Sequence, residues 1–293
     1  LIFDESTLRK LNQLTLVASR VRVGAIKGER RSSRRGSSVE FADYRNYTPG
    51  DDLRRLDWNI YARLERPFIK LLEEEEDLAV HILLDGSRSM DWGGGETHKF
   101  TYALRLAAGL GAVALATGDS LTIGFLQNGR VADEFGPARG QAALTRLFRF
   151  LESPEAGGET DLNRSMREYA ILPRRPGLVI LLSDLFAHDG YEAGLRNLMG
   201  RGHEAVVLHI LSPDELDPPL AGDLQLLDVE TNLSQDVSLD GGLREQYRSR
   251  VRAWIHAAQT DCRKRGIRYL ETVTDRPWDH ALLLEMRRAG IVK

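Results

Sequence analysis

The sequence predicts an α/β protein of three layers, with a mostly parallel, doubly wound sheet covered by helices on both faces and preceded by a small β-rich element. Two observations carry the prediction. From Leu78 onward, short apolar runs bounded by turn residues alternate with stretches of helical periodicity, which is the rhythm of strand, crossover helix and strand. Those runs are apolar at nearly every position, as strands covered on both sides must be. Apolar residues make up 42% of the chain and charged residues 28%, so a full core is available and disorder is not the default.

Taken in order, Leu8, Leu11, Leu14, Leu16 and Val17 approximate helical spacing and predict an amphipathic helix over 5–20. From Arg20 to Arg35 seven basic residues face a single acid, Glu29, with glycines and serines interleaved. This reads as a basic loop, either solvated or a seat for phosphate or an acidic partner. Val39 to Lys70 is rich in aromatics (Phe41, Tyr44, Tyr47, Trp58, Tyr61, Phe68) and in charges (Asp51, Asp52, Arg54, Arg55, Asp57, Arg63). A small β-rich subdomain is expected there, its charges forming either an ion-pair network or a docking face. Glu73 to Asp77 is an acidic run of the kind that usually marks a solvated face. The boundary therefore falls between an N-terminal part, 1–76, and an α/β domain, 77–293.

In the second part, Ala79–Leu84, Leu121–Leu126, Leu178–Leu182 and Ala205–Leu211 are the predicted strands, with helices at about 98–117, 139–152, 161–172 and 188–200. Asn128-Gly129 fits a tight hairpin turn and adds one antiparallel edge strand over Arg130–Glu134. Further strands are expected at Leu224–Val229 and Arg268–Val273, with a long helix at about 243–265 between them.

Several function classes lose support at this stage. A net charge of −3 gives no global attraction to nucleic acid or an anionic membrane. Cys262 is the single cysteine, which excludes an intrachain disulfide and a multi-thiolate zinc site and fits a reducing compartment. The weakly polar stretch around Leu106 to Thr117 is interrupted by Gly109 and Gly111 and falls short of the ~20 residues of a membrane span. No secretory signal pattern opens the chain, and a cytoplasmic location is expected. There is no Gly-x-x-x-x-Gly-Lys-Ser/Thr phosphate loop and no Gly-x-Ser-x-Gly nucleophile turn.

The chemistry concentrates where strands end. In open α/β sheets ligands bind beyond the carboxyl ends of the strands. The first strong strand runs into Asp85-Gly86-Ser87-Arg88-Ser89, Leu178–Leu182 runs into Ser183-Asp184, and Gly157-Gly158-Glu159-Thr160-Asp161 precedes a helix. Two carboxylates and three hydroxyls make an all-oxygen set suited to a hard divalent cation, with Mg2+ the natural choice and Mn2+ or Ca2+ as alternatives. Such a site leaves a coordination position for an outside oxygen, and a partner's carboxylate would fill it. Singly, Ser87, Ser89 and Thr160 can be helix caps, and Asp184 can serve backbone amides in a turn.

Asp85-Gly86-Ser87-Arg88-Ser89 with Thr160 and Asp184 resembles the metal-ion-dependent adhesion site of von Willebrand factor A domains, Asp-x-Ser-x-Ser with a later Thr and Asp. That resemblance implies a von Willebrand factor A-like fold in which Asp85, Ser87, Ser89, Thr160 and Asp184 surround the metal, directly or through water. Upstream, Phe41-Ala42-Asp43-Tyr44-Arg45-Asn46-Tyr47-Thr48-Pro49-Gly50-Asp51-Asp52-Leu53-Arg54-Arg55-Leu56-Asp57-Trp58, followed by Ala62-Arg63, resembles the hallmark of the bacterial domain-of-unknown-function 58 family. Kinship with that family implies work beside a MoxR-type AAA+ ATPase or its client in protein assembly or maturation. The expected function is a metal-dependent protein-interaction module without catalysis of its own. The alternative is a metal-dependent hydrolase of phosphate or ester substrates. It lacks an identifiable base among His81, His98, His188, His203, His209, His256 and His280.

Overall fold

The computed structural model describes residues 3–18, 39–53, 56–74, 77–159, 161–219, 222–227, 234–239 and 241–293. They fall into two compact units: Leu1–Val21 with Leu78–Lys293, and Arg22–Asp77 inserted between those two stretches. The first helix therefore groups with the main body and not with the 1–76 part in which its sequence position puts it.

That helix, α1 (Glu5–Leu11), is shorter than its periodicity predicts. Asp4 caps it by accepting from the Thr7 amide (3.0 Å), and Asn12 closes it. The apolar residues beyond it follow a different period. Leu14 and Leu16 are buried two residues apart, and Leu16 forms an antiparallel bridge with Val292. Thr15 and Lys293 exchange backbone hydrogen bonds of 3.2 and 2.9 Å. A tertiary ladder with the far end of the chain overrides local helical preference here.

In the inserted unit, β1 (Val39–Asn46) pairs antiparallel with β2 (Phe68–Glu74), with a register shift between Phe41 and Asp43. Between them lies α2 (Trp58–Leu64), capped by Asp57, whose carboxylate accepts from the amides of Asn59 (2.9 Å) and Ile60 (3.1 Å) and from the Tyr44 hydroxyl (3.0 Å). Asp51 is gripped by Arg45 through two bonds of 2.8 and 2.6 Å and accepts from the Thr48 amide (2.8 Å). Among these charges, Asp57 serves as a helix cap and Asp51 as a turn clamp. Arg54, Arg55 and the basic loop 20–35 lie outside the described residues.

The main unit contains a six-stranded sheet of β3 (Ala79–Asp85), β4 (Ser120–Gln127), β5 (Arg130–Ala138), β6 (Leu178–Ser183), β7 (Glu204–Leu211) and, later in the chain, β10 (Arg268–Val273). Its order is β10-β7-β6-β3-β4-β5. Every pairing is parallel except β4 with β5, the hairpin turned by Asn128-Gly129. Alternate residues of each central strand serve opposite faces. Val80, Ile82, Leu84, Ile180, Leu182, Val206 and Leu208 join one core with α3 (Lys99–Ala116) and α4 (Leu144–Leu151). Leu83, Val179, Leu181 and Val207 join the other with α5 (Leu162–Ile171), α6 (Glu192–Gly200) and α8 (Gly241–Lys264). Helices flank both faces, giving three layers.

The predicted strand at Leu224–Val229 occurs in part as β8 (Gly222–Leu227), and among the described residues it pairs with β9 (Ser234–Leu239) in an antiparallel two-stranded sheet separate from the six-stranded one. Helix α3 is long and apolar enough to cross a membrane by length and composition, and most of it is buried in the protein core. A short α7 (Pro213–Leu216) follows β7, and α9 (Trp278–His280), a π-helical turn at Ala281–Glu285 and α10 (Met286–Arg288) follow β10.

The entry to β6 is sterically tight. A Cβ on Gly177 would sit 1.9 Å from the Ala79 carbonyl oxygen, so only glycine lets β6 approach β3 there. Gly177→Ala is expected to destabilise the chain by about 1–3 kcal/mol, read as a lower urea midpoint. An unchanged midpoint would contradict this close approach.

Candidate functional site

The order of the strands fixes where a site can form. The chain runs outward from β3 through β4 and β5, then returns to lay β6 on the other side of β3. The crevice beyond the carboxyl ends of β3 and β6 is therefore the topological switch point. Asp85 ends β3, and Ser183 ends β6 with Asp184 following.

The side chains meet there. The Ser183 hydroxyl donates to Asp85 Oδ2 (2.6 Å), and the Ser87 amide donates to Asp85 Oδ1 (3.0 Å). Ser87 Oγ lies 3.1 Å from Ser89 Oγ, which donates to Asp184 Oδ1 (3.2 Å). Asp85, Ser87, Ser183 and Asp184 are all buried. Of the five residues singled out by sequence, Asp85, Ser87, Ser89 and Asp184 thus lie in one connected cluster. Thr160 lies outside the described residues.

Its neighbours are tied to the same loop. The Gly157 amide donates to the Gly86 carbonyl (2.8 Å) and the Arg88 amide to the Gly158 carbonyl (3.1 Å). Asn128, in the hairpin turn, accepts from the Glu159 amide (3.1 Å). Asp161 caps α5 by accepting from the Arg164 amide (2.8 Å). Gly86 has no room for a side chain, because a Cβ would sit 2.1 Å from the Phe125 ring.

Backbone strain orients the second carboxylate. Leu185 is buried with φ +58°, a left-handed conformation that costs a bulky residue about 1–2 kcal/mol. The Leu185 amide bonds Ser183 Oγ (2.9 Å) and the Phe186 amide bonds Asp184 Oδ1 (3.0 Å). The sharp turn thus places both amides on the two oxygen-bearing side chains.

Sequence reading missed three residues that bond to this cluster or to one another around it. Lys99, the first residue of α3, is fully buried, and its Nζ donates to Asp184 Oδ2 (2.6 Å) and Glu215 Oε1 (2.5 Å). Burial alone would lower its pKa, but Asp184 and then Glu215 override that and hold the ammonium above the ordinary lysine range. Glu215 belongs to a capping box with Ser212 at the start of α7. His209 is buried and drawn down to about 4 by desolvation. Being neutral, it donates Nε2–H to the Asp184 carbonyl (2.8 Å) and accepts from the Tyr269 hydroxyl at Nδ1 (2.5 Å). A lysine opening an otherwise apolar helix was the one available signal for Lys99. Nothing local marks Glu215 or His209, which reach the site from other elements.

The donor set fits a hard cation. Among the described residues no three or more His, Cys, Asp or Glu cluster as metal ligands, so any ion here would rely on hydroxyls beside two carboxylates. Each carboxylate oxygen offers two lone pairs, and the bonds described take only part of that capacity. With Asp85, Asp184 and Glu215 ionised and Lys99 protonated, the cluster carries a formal charge of −2, the complement of a divalent ion.

Residues 43–257 match the family described as "Protein of unknown function DUF58". The chain belongs to this family. An uncharacterized protein of Mycobacterium tuberculosis, Rv1480, is 27% identical over 295 residues, covering 99% of this chain and 92% of its own length. Two solved structures are similar at lower identity. One is an aerotolerance-related membrane protein from Bacteroides fragilis, at 16% identity and TM-score 0.43, covering 73% of this chain and 98% of that one. The other is the pilus adhesin SpaC from Lactobacillus rhamnosus GG, at 11% identity and TM-score 0.45, covering 75% of this chain and 31% of that one.

Two measurements test the electrostatics of this DUF58 site. Lys99→Met leaves the buried Asp184 carboxylate and the partly buried Glu215 carboxylate without their shared cation and should cost about 3–5 kcal/mol in chemical denaturation; a loss under 1 kcal/mol would show that the ammonium is dispensable. The Asp85 carboxyl is pushed up from 3.8 to about 6 by burial and then by neighbouring Asp184. Its folded pKa exceeds its unfolded one, so the folded chain binds the proton more tightly between those values. In chelator, wild-type stability relative to Asp85→Asn should therefore fall as pH rises from about 4 to about 6. A gap that stays constant across that range would refute the raised carboxyl.

Proposed function

We propose that this DUF58 chain is a von Willebrand factor A-like module that holds one divalent cation, Mg2+ by preference over Mn2+ or Ca2+, and uses it to grip a protein partner. The observation that carries this reading is the convergence of Asp85, Ser87, Ser89 and Asp184 at the switch point of the sheet. Thr160 would complete the set from the loop whose glycines bond the Gly86–Arg88 backbone. The partner is a protein that presents an acidic side chain, and kinship points to a MoxR-type AAA+ ATPase or its client.

Each residue has a separable task in this scheme. Asp85 and Asp184 supply the negative charge, and Ser87 and Ser89 supply neutral oxygens between them. Ser183 holds Asp85 in place, and Lys99 holds the far oxygen of Asp184. When bound, the ion would provide a Lewis-acidic seat for one outside carboxylate oxygen. Pre-organisation of the ligands by hydrogen bonds removes part of the ordering cost of capture.

Calorimetric titration with Mg2+ tests the site. Wild type should bind one ion, and Asp85→Ala should lose binding by at least about tenfold while keeping its far-ultraviolet circular dichroism. Pull-down from lysate with and without chelator, read by mass spectrometry, should then yield a partner that both chelator and Asp85→Ala remove. A partner retained by the mutant would take the metal out of the mechanism. Metal-dependent turnover of p-nitrophenyl phosphate or acetate, absent in Asp85→Ala, would instead make the site that of a hydrolase.

A further inference from the structure

Beside the carboxyl end of β10, the outermost strand of the six-stranded sheet, helices α7 and α8 border an open cavity of about 600 Å³. None of the residues lining it belongs to the cluster around Asp85 and Asp184. Its walls are held in place. Trp254 of α8 stacks on Phe186 with centroids 4.8 Å apart and planes 7° from parallel, and the Tyr247 hydroxyl of α8 donates to the Glu215 carbonyl of α7 (2.7 Å). Asp217, which closes α7, accepts from Nε of both Arg244 (2.8 Å) and Arg248 (2.9 Å), so its charge is answered within the protein.

The rest of the lining is not answered in this way. Arg252, His256 and Gln259 stand at i, i+4 and i+7 on α8 and share one helical face. Among the described residues none of the three has a hydrogen-bond or ion-pair partner. Glu271 brings a carboxylate from β10 to the same cavity. It is partly buried and accepts no hydrogen bond from the described residues, and burial holds its carboxyl above the ordinary range, with Arg276 opposing and Glu285 adding to the shift. Withdrawing a carboxylate from water without a donor is unfavourable. The cavity therefore holds an acid without a cation, a cation without an acid and a carboxamide free to donate and to accept, beside an apolar wall of Leu216, Val251 and Ile255.

We propose that this cavity binds a short zwitterionic peptide, whose ammonium pairs with Glu271, whose carboxylate pairs with Arg252, and whose apolar side chains lie on Leu216, Val251 and Ile255. The match is made group by group. An anion alone would answer Arg252 and be repelled by Glu271, and a cation alone would meet the reverse. The Gln259 carboxamide offers the donor and acceptor that a peptide bond requires, and a free amino acid has no amide to use them. The volume lies in the range of small-molecule sites, about 300–1,000 Å³. The inference is independent of the metal-dependent reading, because no part of it uses Asp85, Asp184 or an ion.

Calorimetric titration of the full chain in chelator, with the dipeptide Leu-Leu, its N-acetylated form and its C-terminal amide, tests the site. Leu-Leu should bind one-to-one, and each blocked form at least about tenfold more weakly, as expected for the loss of a hydrogen-bonded charge. Glu271→Gln should weaken Leu-Leu by a similar factor and make binding insensitive to acetylation, while the amide still binds poorly. Arg252→Met should do the converse. Far-ultraviolet circular dichroism checks that both variants fold. No binding of Leu-Leu at millimolar concentration, equal binding of the free and blocked peptides, or variants that keep the wild-type order of all three would overturn the proposal.

Discussion

Two carboxylates at the ends of adjacent parallel strands cannot both be ionised and dry without positive charge beside them. That constraint governs everything at the switch point of this sheet. Asp85 answers it by sitting high in pKa and by accepting from Ser183 and the Ser87 amide. Asp184 answers it with a buried ammonium from α3, which the structure shares with Glu215 of α7. With Asp85 ionised, the arrangement carries two formal negative charges in excess of its one ammonium.

The helices set around this edge are therefore more than cover. Helix α3 enters with Lys99 at its first turn, α7 enters with Glu215 in its capping box, and α8 supplies Trp254 and Tyr247. Each places one group by the geometry of its start or its exposed face. A shift of any of these elements would be felt at Asp184, because its oxygens are held by Ser89, the Phe186 amide and Lys99 together.

Much of this was legible in the residues because strands buried on both faces are apolar at every position, and Val80 to Leu84 or Val179 to Leu182 can scarcely be anything else. The hairpin was written in Asn128-Gly129, and the meeting of Asp85, Ser87, Ser89 and Asp184 in their placement just past two such strands. What escaped was set by tertiary contact. Leu14 and Leu16 look helical until Val292 is brought beside them. Asp51 gives no local sign that Arg45, six residues earlier, grips its carboxylate. Lys99 and Glu215 lie 116 residues apart, so no window of sequence could join them. Local patterns report what a segment buries, whereas a buried ion pair depends on what arrives from elsewhere.

The ladder between residues 15–17 and 291–293 has a consequence for biosynthesis. The main body is built from the two stretches that flank Arg22–Asp77 in the sequence, and backbone bonds join its residues 15–17 to 291–293. Its residues 15–17 must wait on the ribosome until residues 291–293 emerge, so the central strands can assemble before this ladder forms.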